Sequence, residues 1–397
     1  DTKCITDYDI VKDSGWYSWK VTDLVRSWYQ DGNYGMMLKL NDSIENGTTE
    51  HNKTFYSSDH GTTSCRPILT IQYINNCGFE SYWDYDAYSV GRAGTGSVNI
   101  FTGNLVWVHN GLTYDGARAS VAVNAIYNAN DKANNSFAMG YGWRTPYHQL
   151  VYKWNPSSGS TADTTYYIWE HEDGTRHYFK YKSSGTYQDE SGADMILTTT
   201  GSGSEKYCIK DKKDNRSYFD TEGRLTKIEN NQATKSSIVI NYTTPDSRYI
   251  STITDGVGRV YEFEYKNGVV HKIHYKRKGS TNLRTLQYDY SPEGDLGIIT
   301  YDDGRKVSYE YNQHLLSVMK NFDGKTLAVG YSQYKDGIPN RMTDFLYSDG
   351  NASYTMMYHY GSGFTTAVDS NNNSLQYQFN SYGNTVSMQD SNGKAIY

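Results

Sequence analysis

The residues with chemistry available to them are ten histidines, several paired carboxylates and four cysteines, and their spacing argues against a catalytic set. His271 and His274 sit on a predicted strand, where positions i and i+3 face opposite sides, so they cannot share a metal without distortion. His171-Glu172 followed by His177 lacks the helical spacing of a zinc protease, and the intervening Asp173-Gly174 predicts a turn. Gly201-Ser-Gly-Ser204 and Gly361-Ser362-Gly363 are not nucleophile elbows, and Gly91, Gly94 and Gly96 open no helix that would cradle a phosphate. Asp84 with Asp86, or Asp302 with Asp303, would serve glycoside hydrolysis only at a defined separation across a cleft, and solvated turns are the better reading. Oxygens crowd Asp211, Asp214 and Asn215, and again Asn371–Asn373. Neither run is an EF-hand loop, so structural calcium stands against ordinary Asx turns as the one cofactor to consider. Cys208 lies in a strand pattern, Lys206–Lys210. Cys4, Cys65 and Cys77 leave disulfide pairing open, and no C-x-x-C pair supports a metal or redox motif. Trp16, Tyr34 and Tyr56 are candidates for stacking on sugar rings, against the alternative that aromatics here fill a core.

The composition says what must position these groups. The chain has 40 Tyr and 36 Gly but only 6 Pro, with a mean hydropathy of -0.75, so its core has to lean on aromatic rings. Tyrosine suits a half-buried strand face, where the ring packs and the hydroxyl finds a partner. The 38 basic and 44 acidic residues are interspersed without a basic stripe, which leaves nucleic-acid binding no electrostatic footing. No apolar run approaches the ~20 residues of a membrane span. The opening Asp1-Thr-Lys-Cys4 is no signal peptide, so an export signal, if the protein is secreted, is expected upstream.

Three stretches follow. In the first, Val21, Leu24, Val25 and Trp28 recur at helical spacing and predict a short helix near residues 20–30, with strand-like runs at 36–40 and 67–73. In the second, glycines precede Val98–Val106, then Ile126-Tyr127-Asn128 and Gly140-Tyr141-Gly142-Trp143. From about residue 165 a hairpin repeat dominates. Asp255-Gly-Val-Gly258-Arg259 leads into Val260–Tyr265, and Asp303-Gly304-Arg305 into Val307–Tyr311, with further copies near Gly174, Gly223, Gly324, Gly350, Asp369 and Gly393. The turns exploit glycine's positive φ. Tyr261, Phe263 and Tyr265 share one face while Glu262 and Glu264 take the other, and Val307, Tyr309 and Tyr311 repeat the arrangement. One hairpin is marginal alone, so each must dock on the next, and the ~20-residue period calls for a repeating architecture.

The first stretch, through Val21–Val25, Trp28, Tyr34-Gly35, Phe55–Asp59 and Arg66–Leu69, resembles the C-terminal part of the DNRLRE family, a β-sandwich related to carbohydrate-binding modules. The second resembles the opening segment of RHS proteins. The hairpin repeat resembles the YD repeat of RHS, wall-associated and teneurin-like proteins. In the repeat, the resemblance gives a structural role to Gly258, Arg259, Tyr261, Tyr265, Gly304, Arg305, Tyr309 and Tyr311.

The expected fold is all-β: a partial sandwich over 1–77, an RHS-type segment over 78–164, and a truncated YD-repeat shell over 165–397. The resemblance implies a spiral sheet around a hollow, which encloses or displays a C-terminal domain, in some relatives a toxin. The expected partners are further repeats and that domain of the same parent chain, and cell-wall or surface glycans. The expected setting is extracellular. No catalytic residue and no enzyme are expected. A glycan-binding adhesin is the alternative, and a polysaccharide-degrading enzyme ranks last.

Overall fold

The computed structural model describes residues 78–397 except 114–118, 155–164, 191, 233–235, 246, 277–282, 333–339, 381 and 397, together with 14–19, 21, 24, 25, 28, 35–39, 44, 46–49 and 53–69. Two compact units divide at Tyr73 and Ile74. In the first, Leu24, Val25 and Trp28 are helical and Val25 donates to the Val21 carbonyl at 2.9 Å, while the rest of the helix expected near 20–30 lies outside the described residues. Met36–Lys39 and 67–69 are described but form no strand ladder.

The second unit is nearly all strand, as the alternation of rings and charges predicts. Five antiparallel strands come first: Tyr85–Ser89, Thr95–Asn99, Leu105–Thr113, Ala122–Asn128 and Trp143–Arg144. A long second sheet then runs in chain order from Leu150–Trp154 to Thr385–Asp390, each strand antiparallel to the one before it.

This ribbon returns on itself. Leu150 bridges Arg224, Val151 donates to the Gly223 carbonyl at 2.7 Å, and Leu225 donates to the Gln149 carbonyl at 3.2 Å. The strand beginning the sheet therefore bonds to Leu225–Glu229, seven strands on, which makes one turn of a spiral. Among the described residues no ladder joins the last strand to the first; closure comes from this contact.

The ring-bearing face is buried: Tyr261, Val307 and Leu316 are 0% exposed, and Tyr309 is 4%. Glu264 and Glu310 face solvent on the other side. The five-stranded sheet covers part of the buried face. Tyr261 donates its hydroxyl to the Val121 carbonyl, Tyr309 to Ala93 and Thr365 to Ile100. Backbone bonds add Val270 to Ala138 and Met342 to Gly103. One continuous apolar cluster runs from Val90 to Tyr377. At this end of the unit the face expected to line a hollow is packed against protein.

Candidate functional site

The most regular feature of the second unit is a seam of tyrosine hydroxyls. Where a strand carries its last aromatic residue, the next strand skips one position. Tyr265 pairs with Val270 while His271 is passed over, Tyr290 with Leu296 past Gly297, Tyr311 with Leu316 past Ser317, and Tyr331 with Met342 past Thr343. Each skip is a β-bulge, which re-aims the side chain at that point. The hydroxyl of the following tyrosine then caps the carbonyl of the residue just paired. Tyr265 donates to Ile250 at 2.9 Å, Tyr290 to Val270 at 2.8 Å, Tyr311 to Leu296 at 2.7 Å, Tyr331 to Leu316 at 3.0 Å and Tyr360 to Met342 at 2.6 Å. Tyr242 extends the series to Leu225, opposite Phe219, and Phe219 has no hydroxyl with which to continue it. The seam links neighbouring hairpins across the positions where bulges interrupt the ladder. Burial pushes the Tyr265, Tyr290, Tyr311 and Tyr331 phenols well above their ordinary range, so they stay protonated donors.

Each such bond contributes about 0.5–1.5 kcal/mol net. Tyr290→Phe strips the fully buried Val270 carbonyl of its donor and is expected to lower stability by about that amount. The urea midpoint should fall with the slope unchanged, whereas an unmoved midpoint would show that the hydroxyl adds nothing.

The turns hold the other repeat residues. Asp255 Oδ1 accepts from the Val257 and Arg259 backbones at 3.0 and 2.9 Å, and the Arg259 side chain pairs with Oδ2. Asp303 holds the Arg305 backbone and Nε at 3.0 and 2.7 Å. Gly258 and Gly304 take φ of +85° and +81°. Tyr309 lies beside the buried His109: its hydroxyl is 3.0 Å from Nδ1, and that of Tyr301 is 3.4 Å from Nε2. Burial holds the His109 imidazole down at about 4, so the ring is a neutral packing element near pH 7.

Trp16 and Tyr56 in the first unit are exposed, at 67% and 58%. Tyr34 lies outside the described residues, as do Cys4 and Cys77; Cys65 and Cys208 are free thiols. Asp211 and Asp369 satisfy their oxygens within Asx-type turns, with Asn215 and Asn373 respectively. Among the described residues no group of three or more metal-binding side chains converges. No described helix is long and apolar enough to cross a membrane.

Sequence reasoning missed a buried polar node where the two sheets meet. Arg144, 1% exposed, ends the five-stranded sheet; its Nη1 donates to Glu170 Oε1 at 2.8 Å, its Nη2 pairs with Asp131, and it lies 4.5 Å from the Phe137 ring centroid. The Asp131 carboxyl still stands above its ordinary value, because burial outweighs the attraction of Arg144. Next to this, Asn128 donates to the Asp173 carbonyl at 2.8 Å, and Asp173 receives the backbone of Phe79. Two carboxyls of the node, Glu80 and Glu172, are pushed up to about 7, mainly by burial. These residues come from distant parts of the chain, so spacing carried no signal of them.

No family model matches the chain. It is similar to the tRNA(Glu)-specific nuclease WapA of Bacillus subtilis subsp. natto (strain BEST195), with 29% identity in an alignment of length 295 that covers 59% of this chain and 12% of that protein. It is likewise similar to the tRNA3(Ser)-specific nuclease WapA of Bacillus spizizenii, at the same identity and coverage. The tRNA nuclease WapA of Bacillus subtilis (strain 168) is 30% identical over 152 residues, 38% of this chain and 6% of that protein. The chain thus spans about an eighth or less of these relatives. Among solved structures it is similar to TccC3 within the TcdB2-TccC3-Cdc42 complex, at 14% identity and a TM-score of 0.25 over 71% of this chain and 15% of the other. The Photorhabdus luminescens Tc holotoxin pore gives 13% and 0.24 over the same shares.

These names correct one expectation. The absence of catalytic motifs predicts a protein that is not an enzyme, yet the curated relatives are nucleases, which are enzymes. The chain corresponds to about an eighth of their length, so their catalytic residues need not lie within the part it matches.

Proposed function

We propose that this chain is a segment of the repeat-built β-shell of a larger RHS/YD-repeat protein, and that the shell encloses or displays a further domain of the same parent chain. The carrying observation is the spiral return, with Leu150–Trp154 bonded to Leu225–Glu229 one turn later while hairpins continue to Thr385–Asp390. A sheet that coils in this way builds a wall to any length by adding hairpins. The similarity to WapA nucleases supports a parent protein that is an enzyme acting on tRNA; that this parent is secreted or held at the cell surface belongs to the same proposal. The division into a DNRLRE-like front over 1–77, an RHS-type segment over 78–164 and repeats over 165–397 belongs to the same proposal.

The test uses the full parent protein. Its region following the repeats should resist protease while the shell is intact, and tRNA should be cleaved once that region is freed. A following region digested as fast with the shell as without it would overturn enclosure. A parent protein without nuclease activity on tRNA would overturn the activity.

A further inference from the structure

Where the second unit begins, its backbone is pressed into the hairpin formed by Tyr166–Glu170 and Arg176–Ser183. A Cβ on Gly78 would lie 2.0 Å from Thr175 Oγ1 and 2.4 Å from Asp173 Cγ, so only glycine fits there. The Phe79 amide donates to Asp173 Oδ2, the Glu80 amide to the Tyr85 hydroxyl at 2.8 Å, and that hydroxyl returns to the Gly78 carbonyl at 3.0 Å. The Glu80 side chain is then carried inward to 8% exposure.

Hydrogen bonding distinguishes Glu80 from the carboxylates of Asp173 and Asp189. Asp173 accepts from the Phe79 and Thr175 backbones, and Asp189 accepts from Ala193. Glu80 Oε1 is buried and has no hydrogen-bond partner among the described residues. A buried carboxyl oxygen without a donor disfavours the charged form, so the group favours keeping its proton. We propose that Gly78–Glu80 is a protonation-dependent clasp: protonated Glu80 holds the start of the second unit against this hairpin, and its ionisation releases it.

Burial first, then Asp173 and Asp189, raise the Glu80 carboxyl from 4.5 to about 7. The folded state therefore favours the protonated group. The stabilisation is complete below about pH 4.5 and is lost as pH rises through about 7. Besides Asp173 and Asp189, the other groups at the node are Glu172, His171, His177, Tyr85 and the triad of Arg144, Asp131 and Glu170. Glu172, raised mainly by burial, loses its contribution in the same direction. His171 and His177, lowered by burial, act oppositely and lose theirs as pH falls below the ordinary imidazole range. Tyr85, raised to about 12, and the ion-paired Arg144 keep their protons throughout.

The test is amide hydrogen exchange of residues 79 and 80 in this chain, corrected for the intrinsic pH dependence of exchange. Protection should fall about tenfold between about pH 6 and pH 8, the change in linkage when a carboxyl of pKa near 7 is released to its ordinary value. Glu80→Gln should lose most of the fall, and Glu172→Gln should keep most of it. Flat wild-type protection, or an unchanged fall in Glu80→Gln, would overturn the clasp. The Glu80 side-chain carboxyl, followed by carbon NMR in the unsubstituted chain, should titrate near 7. A midpoint below about 5 would overturn it even if Glu80→Gln failed to fold.

Discussion

Arg144→Ala is expected to cost about 3–5 kcal/mol of folding stability, the range for breaking a buried ion pair by removing one partner. The guanidinium is 1% exposed and holds Asp131, from the short 3-10 turn after Ala122–Asn128, and Glu170 from the spiral sheet. Its removal takes the main counter-charge from the buried Glu170, which keeps only Arg176 at 3.9 Å, and from the half-buried Asp131. Much of the loss comes from that uncompensated charge, not from the worth of the triad itself. Adding Asp131→Asn and Glu170→Gln should therefore recover part of it, so that the triple substitution costs clearly less than the three single losses added together. Denaturant unfolding of the four chains measures this. A loss below about 1 kcal/mol for Arg144→Ala would mean the node is open to water in solution.

Gly223→Ala is the second large effect, expected at about 3 kcal/mol or more, because it combines backbone strain with a clash. Gly223 has φ of +77°, and an added Cβ would stand 1.9 Å from the Val151 carbonyl oxygen, which belongs to the strand one spiral turn away. Backbone on both sides leaves no flexible side chain to yield. Gly304 is the internal control: its φ is +81° and nothing lies within 4 Å of an added Cβ. Gly304→Ala should cost only the left-handed penalty of about 1–2 kcal/mol. The two glycines fill the same place in the repeat, so equal losses in denaturant unfolding would show that the spiral contact contributes nothing.

How far the fold was legible depends on the range of the interaction. The ring faces of Tyr261 and Phe263, and of Val307 and Tyr309, follow from the period-two alternation and are buried as expected. Tyr265 and Tyr311 recur at one place in the repeat, but their hydroxyl partners Ile250 and Leu296 sit on the preceding strand, and a bulge sets each partner. The recurring tyrosine was visible; the carbonyl it caps was not. At the node the sequence offered less. The spacing of His171, Glu172 and His177 excludes a zinc motif, and no local pattern marks Glu80, some 90 residues earlier in the chain.

The amino-acid sequence by itself determined the hairpins. Each needs only a turn residue free to take positive φ and an alternation of rings and charges, both encoded within about ten residues. Tertiary structure alone decided which edge meets which after a turn of the spiral, what covers the ring-bearing face, and which carboxyl is buried without a donor. Those outcomes depend on groups brought together from 20 to more than 200 positions apart, as with Arg144 and Glu170 or Tyr309 and Ala93. Charge and desolvation act through space, and a local pattern contains no record of what will lie across from it.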